Sequence, residues 1–147
     1  MQKQYLVWLL LAMATVLVAC GGDATPVAES FSKYNAQAVF DGLDAAGLGV
    51  ANQRRDMAVA PDVPVTYSDR YLFEIEKIAP AGGQVLIFNN ADGLATWQAH
   101  VDRQRANSNT RRDYVYVYTK NNALLILSPN LTTDDATAYR EAFERLP

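Results

Sequence analysis

At 147 residues, 50% hydrophobic and 20% charged, the chain has the size of one domain, for which roughly 100 to 150 residues is usual. One cysteine and one histidine exclude an internal disulfide and fall short of the three or four ligands of a zinc centre, so no metal or other cofactor is expected. A formal charge of −3 argues against a nucleic-acid partner.

The chain opens with a short polar segment carrying Lys3, followed by an apolar run from Tyr5 to Val18 that ends in small residues. That order predicts a secretory signal peptide over residues 1–19, because the run is short of the roughly 20 residues that span a bilayer and a polar, foldable region follows. The single cysteine stands where the run stops.

Leu17-Val18-Ala19-Cys20 resembles the lipobox of bacterial lipoproteins, in which leucine and small residues precede the cysteine that becomes the new N-terminus. The resemblance implies that the Cys20 thiol carries a diacylglyceryl thioether and is neither a nucleophile nor a metal ligand. Two or three acyl chains exceed the one-chain limit of marginal anchoring, each buried methylene contributing about 0.8 kcal/mol, so the expected partner is a membrane, held through Cys20. Gly21 rather than aspartate after the cysteine permits an outer-membrane destination. The expected location is therefore the cell envelope, on the extracytoplasmic side of the cytoplasmic membrane or on the outer membrane.

Residues 20–30, small and polar with Pro26, read as the lipidated cysteine and a flexible tether. Removing Lys3 with the signal leaves twelve basic against sixteen acidic residues, so the acyl chains, not attraction to anionic lipid, must do the anchoring.

The folded domain, residues 31–147, is expected to open with a helix over Asn35 to Ala46, where Ala36, Val39, Phe40, Leu43 and Ala46 recur at helical spacing and Gly47 suits the C′ position. Leu48 to Asp69 holds Pro61 and Pro64 without sustained period. It reads as a long loop with a short edge strand near Met57 to Ala60. From Arg70 the period is two: Tyr71, Phe73 and Ile75 alternate with Leu72, Glu74 and Glu76, and Val85-Leu-Ile-Phe88 follows a turn at Pro80-Ala-Gly82-Gly83, giving a hairpin. Asn89 or Asn90 then caps a helix whose Leu94, Trp97 and Val101 face inward.

The plan repeats. Asp113 to Thr119 and Ala123 to Leu127 flank Lys120-Asn121-Asn122 as a second hairpin, and Thr132 or Thr133 caps a last helix with Tyr139, Phe143 and Leu146 inward. The expectation is an α+β fold in the order α-ββα-ββα: a four-stranded, mainly antiparallel sheet with helices on one face, built from what reads as a duplicated ββα unit. The layout, with Ala46-Gly47-Leu48 ending the first helix, resembles small bacterial envelope lipoproteins, a resemblance that implies this fold and carries no catalytic assignment with it.

Candidate chemistry is sparse. His100, beside Trp97 and Gln104 on the helix, has neither a second histidine nor a free thiol to complete a dyad, and reads as a surface or capping residue. Glu74 and Glu76 share a strand phase and mark its solvent side. Ser128 shows no base partner, and Arg103, Arg105, Arg111 and Arg112 form a basic patch that suits solvent or an anionic polymer. Tyr114, Tyr116 and Tyr118 alternate with Val115 and Val117, placing the rings on one strand face. They form either an open binding stripe or part of the core. The sequence thus predicts a lipid-anchored envelope protein with a non-catalytic binding or scaffolding domain, whose partner is an envelope polymer or protein. The alternative is a small hydrolase with its site in the 48–69 loop.

Overall fold

The computed structural model describes residues 30–58 and 60–147. The signal peptide, the lipobox with Cys20 and the tether of the sequence reading, residues 1–29, lie outside the described residues.

Helix α1 (Ala36–Ala45) starts where the Asn35 side chain accepts the Ala38 N–H at 2.8 Å, and buries Ala36, Val39, Phe40 and Leu43. It stops in a Schellman turn: Gly47 at φ 72° donates its N–H to Asp44 and Leu48 donates to Leu43. Strands β1 (Val50–Arg55), β2 (Asp69–Ile75) and β3 (Gly82–Ile87) follow, then helix α2 (Ala91–Ala106), strands β4 (Tyr116–Lys120) and β5 (Ala123–Leu127), and helix α3 (Thr133–Glu144). The side chains of Asn90 and Thr132 cap α2 and α3. Every pairing is antiparallel, in the order β1-β2-β3-β5-β4.

The α+β class holds, and four details of the expectation are corrected. Among the described residues the sheet has five strands, not four, because the first half of the 48–69 loop pairs as β1 with β2, Val50 opposite Ile75 and Arg55 opposite Tyr71. Met57, Ala58 and Ala60, the described residues of the expected edge strand, lie in no strand. Gly82 and Gly83 belong to β3 rather than to a turn. A Cβ on Gly82 would lie 1.8 Å from the Phe73 carbonyl oxygen, so the close strand approach excludes any side chain there.

The helices cover both faces, not one. α1 and α3 lie over Phe73, Ile75, Val85, Ile87, Leu125 and Leu127, while α2 lies on the other side over Leu86, Leu124, Ile126 and Val117. Every residue of β5 is buried, as are Val85, Leu86 and Ile87 of β3. An unbroken apolar strand exposes grease on both faces and requires a layer on each. The two ββα units consequently send their helices to opposite sides, so they are not copies of one arrangement.

Candidate functional site

Helix α2 covers only the β3-β5-β4 half of its face, and the quadrant over β1, β2 and β3 stays open. Register places Arg54 opposite Leu72, Leu72 opposite Gln84 and Gln84 opposite Ile126, so these side chains form one cross-strand row. Arg70 and Glu74 flank Leu72 on the same phase of β2. Together with Asn52, Asp113, Ser128 and the rings of Pro80 and Pro129 they line a groove of about 350 Å³.

The groove is floored by Leu72, Ile126 and the bare backbone of Gly82. Its charged walls are held in place. Arg70 Nε donates to Gln84 Oε1 at 2.8 Å, and its Nη1 donates to the Ala58 carbonyl. Arg54 Nη1 lies 3.2 Å from Asp56. Asn52, at φ 50° in the irregular stretch between Ala51 and Arg54, donates from Nδ2 to Glu74 at 2.8 Å. Two guanidinium groups and two carboxylates around a short apolar floor suit a ligand with both charged and apolar parts, and the half-exposed groups can exchange water for ligand without burying a lone charge.

Of the residues singled out in the sequence, Glu74 and Ser128 line the groove and the others fall elsewhere. His100 is 2% exposed, edge-on to Trp97 at 5.3 Å and to Tyr114 at 5.8 Å between ring centres. It is a packing residue, not a surface or capping one, and burial, aided by Arg103, lowers its pKa. Glu74 joins the groove wall, whereas Glu76 sits in a short 3₁₀ turn, so the two do not share a strand face. Ser128 Oγ accepts the Asn130 N–H at 3.2 Å. Arg105 is committed to the carbonyls of Tyr114 and Val115, while Arg103, Arg111 and Arg112 are exposed.

The three tyrosines do not form one stripe. Tyr114 lies in a 3₁₀ turn (Arg111–Tyr114) before β4 and packs against the α2 side. Tyr116 and Tyr118 pack on the opposite side, at the border of the α1 and α3 core, where the Tyr116 hydroxyl donates to the Leu131 carbonyl at 3.4 Å. Alternation fails at Tyr114 because Arg105 and the 3₁₀ turn hold the chain out of extended conformation until Tyr116. Burial raises the pKa of both Tyr114 and Tyr118.

A second cavity of about 490 Å³ lies between the start of β1 and α3, bordered by Glu76, Lys77, Asp135 and Tyr139. Lys77 Nζ and Asp135 close it at 2.6 Å, and the Tyr139 hydroxyl donates to the Gly49 carbonyl at 3.3 Å. Burial, then the carboxylates of Asp135, Glu76 and Asp44, push the Tyr139 phenol up to about 12. A protonated, donating phenol in that position ties α3 to β1.

Among the described residues no group of three His, Cys, Asp or Glu side chains is placed to hold a metal, and no helix is long and apolar enough to cross a membrane. Comparison with family models, with curated proteins and with solved structures finds no match to this chain. Of the groove residues the sequence singles out Glu74 and Ser128, but not Arg54, Arg70, Gln84 or Asp113. The phase Arg70-Leu72-Glu74 was legible as the polar face of β2. Arg54 and Asp113 reach it only through register and a turn.

Proposed function

We propose that this protein is a lipid-anchored cell-envelope protein whose domain binds a partner without catalysis, through the groove over β1, β2 and β3. The anchoring half rests on the order of Lys3, the apolar run and Leu17-Val18-Ala19-Cys20, with Cys20 as the acylated residue. The binding half is carried by one observation, the open sheet quadrant lined by Arg54, Arg70, Glu74 and Asp113. Its partner class is an envelope polymer or protein offering both charge signs. A binding module needs a shaped surface with polar fringes rather than converging acid and base groups, and the groove is of that kind.

The position of the groove supports its access. Ser30, the first described residue, is held by Asn121 Nδ2 at its carbonyl, 2.9 Å away, in the β4–β5 turn. The groove lies toward the other end of the strands, beside Gly82 and Ser128. The groove thus opens at the end of the sheet away from Ser30, where the tether would join the domain.

Two measurements test the reading separately. Fatty-acid labelling of cells should mark the wild type and not Cys20→Ala; equal labelling removes the anchor. Pull-down with isolated cell-wall material should be lost in Arg54→Glu with an unchanged melting temperature, since Arg54 is exposed and outside both cores. Retained binding removes the groove from the proposal.

A further inference from the structure

The two edges of the sheet are built differently. The β1 edge carries an irregularity between Ala51 and Arg54, with Asn52 at positive φ and two exposed arginines, all devices that discourage pairing with another strand. The β4 edge has none of these: Tyr116–Lys120 is regular, free of proline, and pairs residue for residue with β5. Its outward backbone groups follow from two hydrogen bonds. Asn122 and Ser128 bond toward β3, Phe88 donating to the first and the second donating to Gly82, so the odd residues of β5 bond toward β4. Closure of the two-residue turn then makes Lys120, Tyr118 and Tyr116 the inward residues of β4, and leaves the N–H and C=O of Val117 and Thr119 facing out. The next outward carbonyl, Val115, already accepts from Arg105. The open window is therefore bounded by Arg105 at one end and by the Asn121 turn at the other, and its centre is Tyr118.

We propose that a second copy of this chain occupies that window, the two β4 strands pairing antiparallel about Tyr118 to make one continuous sheet. Only this register uses both outward residues: Val117 bonds Thr119 of the other copy, and Thr119 bonds its Val117. The side-chain partners it produces are favourable. Tyr118 meets its own equivalent as an aromatic pair, Tyr116 meets Lys120, and Val117 meets Thr119, with no like charges opposed. A two-fold contact of this kind is self-complementary and closed, so it stops at the dimer. On the α2 face the cleft of about 290 Å³ beside the edge, lined by Gln98, Asp102 and Arg105 with Val117 and Thr119, receives the added strand's Val117 and Thr119. The inference stands on the edge alone and does not depend on the groove.

The full-length chain in detergent should sediment as two chains per particle. Thr119→Pro should sediment as one while keeping its circular dichroism, because that N–H points away from β5 and its loss leaves the internal ladder intact. In membranes, Tyr118→Cys should oxidise to a cross-linked dimer much faster than Thr96→Cys on exposed α2, since facing residues of a non-hydrogen-bonded pair stand about 4.5 Å apart at Cα, within disulfide range. The wild type, whose one cysteine is Cys20, is the blank. A wild type of one chain per particle overturns the proposal, as does a folded Thr119→Pro that keeps two, or Tyr118→Cys linking no faster than Thr96→Cys. Should Thr119→Pro unfold, the cross-linking rates alone decide.

Discussion

Asn122 sits in the β4–β5 turn at 2% exposure and joins segments 88 residues apart: its Oδ1 accepts the Tyr34 N–H at 2.8 Å, and its Nδ2 donates to the Tyr34 and Phe88 carbonyls. Asn122→Ala leaves buried backbone groups unpaired, each worth about 1–3 kcal/mol, so chemical denaturation should show a loss of about 2–4 kcal/mol. His100 carries a different prediction. Its pKa is lowered from 6.5, by burial first and by Arg103 second. Below pH 6.5 the unfolded chain therefore binds a proton that the folded chain resists, and stability falls as pH drops toward the folded pKa. The facing groups are the Trp97 and Tyr114 rings, and neither titrates in that window. His100→Phe should flatten the melting temperature between pH 6.5 and the onset of carboxylate titration; a slope equal to the wild type would show that His100 is not its source.

Among the elements, α1 tests how much a single terminus matters. A Cβ on Gly47 would meet nothing within 4 Å, yet φ there is 72°. Gly47→Ala therefore has a conformational cost without a clash, about 1 kcal/mol, readable as a small fall in the unfolding midpoint at unchanged slope. The sheet shows why element assignment and element placement are separate problems. The helices, the caps at Asn90 and Thr132, each one of two residues the sequence offers, and the hairpins β2–β3 and β4–β5 were legible because each is specified within a few residues. β1 was not, because Val50–Arg55 has one buried residue at its start and a polar remainder, and its pairing is dictated by the free edge of β2.

At the scale of the whole molecule, two apolar clusters share β3 and β5. Trp97 belongs to one and Phe143 to the other, and each is nearly or fully buried. Truncating either to alanine should remove about 3–5 kcal/mol. Because the clusters meet through common strands, both variants should shift one cooperative transition, identical by near- and far-ultraviolet circular dichroism. Two separated transitions in either variant would mean that the layers unfold independently.

Composition, periodicity and caps by themselves determined the α+β class, the helices, two hairpins and most inward residues of α1, α2 and α3, Ala46 being exposed beyond the end of α1 and His100 buried on α2, since these depend on neighbours within about four positions. The expectation of an acylated Cys20 came instead from the resemblance of Leu17-Val18-Ala19-Cys20 to a lipobox. The continuous apolar runs Val85-Phe88 and Ala123-Leu127 already contained the case for burial on both faces, but not which helix takes which face. Only the tertiary structure decided that, along with the pairing of β1, the burial of His100, the separation of Tyr114 from Tyr116 and Tyr118, and the meeting of Arg54, Arg70, Glu74 and Asp113. Each of these depends on strand register or on the course of a turn. Those in turn are set by which packing of two helical layers leaves the least apolar surface exposed, a property of all the elements together that no local window contains.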